Sequence, residues 1–380
     1  MPKKGRSMKL NFVRNDLLNA INIVLKAVSS KTTMPILECI LIEAGSKGVY
    51  LTANDMELGI ETKVSNCEVL EEGKIAVEAK LFSEIVRKIS LEDESNVSLN
   101  SDGNIVTIVC DNSTFRIQEK DPDQFPALPT IDKENYISLS QFTLKELIRD
   151  TIFSISPNDS NKMMTGELFE VKGDRLKVVS LDGHRISIRN VQLRDTYHDV
   201  KVIIPGKTLN EISKILSGDN EKEVVIYFSK NDVLFKFDET LMVSRLIDGE
   251  YFKIDSMLSS DYETKVTVNK KEFLDSIERS TILIRESDKK PLIMNIEEST
   301  LGLKMNSTIG TMDAQLLIRK QGKDLMIGFN PKFLLDALRV IDDEEVDLYM
   351  TNPKAPCFIR DAEENYIYLI LPVNFNPASY

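Results

Sequence analysis

IGFNPKFLLDALRVI, residues 327–341, reads as two elements joined by a polar break. Apolar residues 327–329 have the look of a short strand, and Asn330-Pro331 stops it. Phe333, Leu334, Ala337 and Leu338 then recur at helical spacing, an apolar stripe one face wide. The same strand–break–helix grammar opens at Leu10 (LNFVRNDLLNAINIVLKAV), Ile75 (IAVEAKLFSEIVRKI), Ile137 (ISLSQFTLKELIRDTI), Val202 (VIIPGKTLNEISKIL) and Val266 (VTVNKKEFLDSIERS). The intervals between the six openings are 65, 62, 65, 64 and 61 residues. Self-similarity at a fixed period marks a duplicated architecture.

A longer period lies above the short one. The first copy of each pair is followed by VYLTANDMELGIETKV (49–64), LKVVSLDGHRISIRNV (176–191) or LGLKMNSTIGTMDAQLL (301–317), and the second copy by its own alternating tract. These tracts alternate apolar and polar residues around turn residues, the mark of strand–turn–strand units. The large unit is about 128 residues, occurs three times, and holds two helices with many short strands. The expected fold is α+β: three repeated domains at 8–131, 135–259 and 264–380, each with two helices packed on antiparallel sheets. Polar connectors TIDKENY and SSDYETK join them. Residues 1–7, MPKKGRS, read as an extension or tag remnant ahead of Met8.

A chain of 380 residues exceeds one core and fits two or three domains. No apolar run reaches the ~18 residues of a membrane span, and no signal peptide is visible, so a cytoplasmic location is expected. The four cysteines are scattered without a C-x-x-C and there are two histidines, which points to a reduced protein without structural zinc; no cofactor is expected. The net charge of −12 argues against a conventional nucleic-acid binder. Its distribution is uneven. Lys26, Lys80, Arg87, Lys88, Lys145, Arg149, Lys207, Lys214, Lys270, Lys271, Arg279, Lys332 and Arg339 fall on the repeated helices, while EVLEEG, LEDES, SGDNEKE, DDEEVD and RDAEEN fall in connectors.

Six helices side by side at about 10 Å give a ring of about 60 Å circumference and a hole of about 9 Å. Twelve give about 120 Å and a hole of about 28 Å, enough for B-form DNA roughly 20 Å across. One chain cannot surround a duplex and two can, which favours a twofold dimer closing into a ring.

MKLNFVRNDLLNAI at the start, TTMPIL (32–37), FPALP (125–129), SLDGHRIS (180–187), SRLIDGEYF (244–252), GFNPKFLLDAL (328–338) and LILPV (369–373) together resemble the bacterial DNA sliding clamps, the beta subunits of the replicative DNA polymerase III. The resemblance runs in order from Met8 to Phe375. It implies a non-catalytic homodimer that encircles double-stranded DNA and confers processivity. It also implies partners: DNA polymerase subunits, a clamp loader and repair polymerases, all engaging through clamp-binding peptide motifs. A weak grip suits such a protein, since tight phosphate contacts would stall sliding.

By the same resemblance a peptide pocket comprises Met164, Leu181, Gly183, His184, Arg185, Ile186, Phe252, Met257, Asn330, Phe333, Pro356, Leu369, Ile370, Leu371, Pro372 and Val373. Lys31 and Lys162 are placed near the DNA, and Phe115 and Ile117 are placed against Ile282 and Leu283 of a second copy. Phe252 stands where the family often has proline, Ser256 where it can have arginine, and the tail NPASY runs past the usual end.

Other readings compete. Gly206-Lys207-Thr208 mimics the end of a phosphate-binding loop, but Lys201 stands where the motif needs glycine. Ser180, Asp182 and His184 alternate on one turn and cannot converge as a triad. Asp121/Asp123 and Asp342/Asp343 lie in separate loops without histidine company. A DNA-processing nuclease or nucleotidyl transferase with repeated domains is therefore the alternative, and an acidic protein scaffold a third.

Overall fold

A computed structural model describes residues 7–29, 31–89, 94–157, 160–258, 261–285 and 290–376. Most of the N-terminal extension, part of the LEDES connector and the last four residues of the tail lie outside them. All six anticipated helices are present: α1 Arg14–Val24, α2 Ala79–Lys88, α3 Gln141–Thr151, α4 Gly206–Ile215, α5 Lys270–Thr281 and α6 Pro331–Val340. Their starts follow from the polar breaks. Asn330 caps α6 by accepting from Lys332 N at 3.0 Å, with Pro331 in the first turn, where its missing N–H costs nothing. Asn269 caps α5 through Glu272 N, Glu78 caps α2 through Leu81 N, and Ser140 Oγ accepts from Thr143 N. Two sequence-based placements shift. Lys26 lies in a 3-10 turn, Leu25–Ala27, beyond α1, and the acidic EVLEEG forms much of a strand, Cys67–Glu71, because alternation outweighs charge there.

Among the described residues three antiparallel sheets, of five, eight and ten strands, carry the helices. The chain divides into two units, residues 1–143 with 211–246, and residues 144–210 with 247–380. The division cuts the middle repeat because its strands are shared between sheets. Its last strand, Thr240–Arg245, pairs with Leu58–Lys63 of the first repeat inside the first unit. Its long strand Arg185–Pro205 pairs with Tyr366–Ile370 of the third inside the second unit.

The two seams have one geometry. Ser244 sits opposite Leu58, and Ile370 opposite Arg185. Arg245 N donates to Glu57 O at 3.0 Å, and Leu371 N to His184 O at 2.9 Å. The turns ahead of the receiving strands also match. Asp55 Oδ1 accepts from Glu57 N and Leu58 N; Asp182 Oδ1 accepts from His184 N and Arg185 N. The residue after each aspartate has a left-handed backbone, Met56 at φ 75° and Gly183 at φ 87°. Glycine takes that conformation freely, and methionine only under constraint.

The core of the third repeat is buried beneath α5 and α6, with Phe273, Ile277, Met294, Phe329, Leu334 and Leu348 at or near zero exposure. Gly328 in the edge strand Leu325–Phe329 admits the tail: Val373 N donates to its carbonyl at 2.8 Å, and a side chain there would meet Phe375 and Ile293 at 3.0 Å. Inside the first seam, the buried hydroxyls of Thr62 and Thr240 bond at 2.8 Å. Thr62→Val strands the Thr240 hydroxyl and should cost about 1–3 kcal/mol by denaturant unfolding. Adding Thr240→Val should restore much of the loss.

Candidate partner cleft

Most of the resemblance-derived pocket residues fall in the second unit around the turn 182–184. Leu181, Ile186 and Leu369 are buried in one apolar cluster with Leu168, Val179, Ile203, Tyr251 and Phe358, and Met164 and Phe252 pack against it half-buried. Met163, from the same 3-10 turn Lys162–Thr165, joins them, as does Ile247. This is an apolar floor under a turn whose Asp182 carboxylate is already engaged by His184 N, Arg185 N and Arg185 Nε. Methionines at its edge give a surface able to adapt to different side chains.

Arg185 is the hub. Its side chain is only 6% exposed, a burial that a guanidinium tolerates only when paired. Nε donates to Asp182 Oδ2 at 3.0 Å, Nη1 to Asp336 Oδ2 at 2.7 Å, and Nη2 to the Phe153 carbonyl. Its guanidinium also lies 4.4 Å from the Phe333 ring centre and 5.4 Å from that of Phe153, a cation held between two π faces. His184 stacks on the other ring contact, 6.1 Å from Phe333 at an interplanar angle of 21°. One side chain thus ties the turn to α6. Asp336 and Phe153 were not anticipated. Asp336 lies three residues beyond Phe333 on α6, so helical spacing was the available signal; nothing in the sequence marks Phe153.

The remaining residues are placed less uniformly. Leu371 and Met257 are exposed, at 38% and 52%. Ile370 points the other way from Leu369, into the third-repeat core at 1% exposure, as strand alternation requires. Asn330 is engaged as the α6 cap. Val373 lines a neighbouring cleft of about 540 Å³ with Leu325, Met326, Asn374 and Phe375. Pro356 is half-buried just ahead of the strand Cys357–Arg360. Lys31 and Lys162 are both exposed. Phe115 is 40% exposed on the strand Ser113–Gln118 and Ile282 75% exposed beyond α5, while Ile117 is half-buried and Leu283 packs against the third-repeat core.

The enzyme-like motifs resolve as structure. Ser180 Oγ donates to the Thr151 carbonyl at 2.5 Å, far from the tasks of a nucleophile, and Asp121 caps a short turn through Asp123 N. A side chain at Gly206 would meet Thr165 O at 2.9 Å and Ile155, so this glycine permits close packing at the start of α4. Among the described residues, no group of three or more His, Cys, Asp or Glu could hold a metal ion, and no helix is long and apolar enough to cross a membrane.

Family models of the DNA polymerase III beta subunit match the chain in order: the N-terminal domain over residues 8–129, the central domain over 138–253 and the C-terminal domain over 255–374. The chain belongs to the DNA polymerase III beta subunit family. A Bacillus subtilis protein named beta sliding clamp is 34% identical over 380 residues, which cover 96% of this chain and 99% of the relative. A crystal structure from Eubacterium rectale, named for a DNA polymerase III beta subunit, is 56% identical with a TM-score of 0.93, covering 97% of this chain and 100% of that one. The crystallised DNA polymerase sliding clamp of Bacillus subtilis is 33% identical with a TM-score of 0.93, at the same coverage. The sliding-clamp reading therefore holds: a non-catalytic processivity factor of replication, with no support for the nuclease or transferase alternative.

The Arg185 hub yields a direct test. Asp336→Ala removes a charge-assisted bond from a buried guanidinium and should lower stability by about 1.5–3 kcal/mol in urea unfolding. Asp182→Ala with Asp336→Ala should cost more than the two single losses summed, because either carboxylate alone still pairs the buried guanidinium and only the double change leaves it without a counter-ion.

Proposed function

We propose that two copies of this chain close head to tail into a ring around duplex DNA, and that the 182–184 turn with the chain's end forms the site where partner proteins dock. The repeat carries this reading. In both seams the last strand of one repeat pairs with the strand after the turn of the repeat before it. The third repeat has such a receiving strand, Gly310–Gly322, whose first half pairs on one side with Thr300–Ser307 and whose pairing on the other begins, among the described residues, at Ile318. The first repeat has such a last strand, Ser113–Gln118, paired only with Ile105–Cys110 among the described residues. Open edges of this kind invite a second chain.

The register follows. Ser113 closes a hairpin on Cys110 as Thr240 does on Phe237, which makes Ile117 the counterpart of Ser244. Gly310 closes on Ser307 as Arg185 does on Asp182, which makes Gly310 the counterpart of Arg185. Across the dimer, Ile117 then faces Gly310, Arg116 faces Thr311 and Phe115 faces Met312. Leu283 already lies against Gly310, 3.3 Å from where a Cβ would stand, so Ile117 lands beside it. Exposed Ile282 extends the same apolar patch. The division into domains at 8–131, 135–259 and 264–380 belongs to this reading, as do a cytoplasmic location and Lys31 and Lys162 near the duplex.

Partners are proposed to be polymerase subunits, the clamp loader and repair polymerases presenting a glutamine followed by leucine and an aromatic. The floor of Met164, Leu181, Ile186 and Leu369 would take the apolar side chains, with Leu371 and Met257 closing over them.

Arg116→Cys with Thr311→Cys should yield a disulfide-linked dimer under mild oxidation, read on a non-reducing gel; cysteines shifted by one residue should cross-link poorly. A cross-link that ignores register would contradict the seam. Ile282→Ala with Leu283→Ala should move the protein toward monomer in sedimentation by removing apolar contact. Truncation before Leu371 should abolish binding of a labelled partner peptide and leave the dimer intact; undiminished affinity would place the partner site elsewhere.

A further inference from the structure

One buried group fits none of the roles above. Glu167 is fully buried in the strand Gly166–Leu181, and neither carboxyl oxygen has a hydrogen-bond partner among the described residues. The repeat shows how unusual that is. Glu167 lies opposite Ile204, two residues ahead of α4. The counterparts opposite Val77, two residues ahead of α2, and Phe329, two ahead of α6, are Ile40 and Leu292. Both are apolar and fully buried. At three equivalent positions, only the repeat that carries the 182–184 turn places an acid.

The surroundings suit a neutral carboxyl. Thr151 interacts with it, yet the Thr151 hydroxyl gives its proton to Leu147 O at 2.6 Å and offers only a lone pair. Tyr251, the ionisable neighbour, likewise donates to Val179 O at 3.3 Å. Arg149 and Arg189 are both committed to Asp150, the residue before Thr151, each at 2.8 Å. A protonated acid can donate to such acceptors; among the described residues a carboxylate finds no donor. Burial accordingly pushes the Glu167 carboxyl well above its ordinary range.

Glu167 is also mechanically placed. Two residues before it ends the turn Lys162–Thr165, which carries Met163 and Met164 onto the cleft floor, and Tyr251 adjoins Phe252 in the same apolar cluster. We propose that Glu167 is a proton-operated latch beneath the partner cleft: the floor is formed only with this carboxyl neutral, and its ionisation loosens the Lys162–Thr165 turn and weakens peptide binding. The latch rests on the proposed docking site. Its sign is set by linkage. The folded floor holds the proton to higher pH than the open one, so floor stability and peptide affinity are fully present at low pH and decline as pH rises toward the folded value.

The test is a titration of a labelled peptide carrying the glutamine–leucine–aromatic motif, from about pH 6 to about pH 9.5, on full-length wild type and Glu167→Gln. Wild-type affinity should fall with rising pH, by up to about tenfold per pH unit once the group ionises, and the variant should stay flat relative to it. Calorimetry in buffers of different ionisation enthalpy should show proton uptake on binding in wild type and none in the variant. Glu167→Leu, the residue standing in the third repeat, serves as a second variant and should behave as Glu167→Gln does. Parallel pH profiles in all three proteins would overturn the latch alone. Absence of peptide binding at every pH, in every protein, would overturn the docking site on which it rests.

Discussion

An antiparallel strand with one side unpaired leaves a row of backbone donors and acceptors that must be satisfied. In this protein the first and second repeats each present such an edge, and the next repeat's last strand fills it. The pairing of Leu58–Lys63 with Thr240–Arg245 and of Arg185–Pro205 with Tyr366–Ile370 joins three small repeats into shared sheets. Much else depends on it. It explains why the two units cut through the middle repeat, and it fixes where the turn at 182–184 meets the chain's end. Among the described residues it also leaves one receiving strand open along its first half and one last strand paired on a single side, the edges across which the proposed dimer pairs.

The same seam builds the cleft. Leu371 reaches His184 only because Ile370 is held opposite Arg185. The first seam repeats the frame at Glu57 and Arg245 but not the chemistry: Leu58 and Ser244 replace Arg185 and Ile370. The cation clamped between Phe153 and Phe333 belongs to the second seam alone. The duplicated backbone thus carries one specialised copy.

The six helices were legible because a period of 3.6 residues and polar caps such as Asn269 and Asn330 are local signals. The turns at Asp55 and Asp182 were legible for the same reason. Strand sharing between repeats was not, since pairing of Thr240 with Thr62 joins residues far apart in the chain and leaves no periodic trace. The resemblance to the sliding clamps supplied the cleft residues as a set. Side-chain direction separated them: Leu369 faces the floor, and Ile370 one residue on faces the core. The ion pair to Asp336 and the buried Glu167 needed coordinates, because a carboxylate on a helix face or in a strand reads as solvent-exposed until its neighbours are known.

The proposed hold on DNA is topological: the protein surrounds the duplex and does not grip it. Retention on nicked circular DNA, after loading with a clamp loader and ATP, measures this most directly. The protein should stay on the circle through gel filtration and be lost when a restriction enzyme opens it. Equal retention on circular and linear DNA would contradict it.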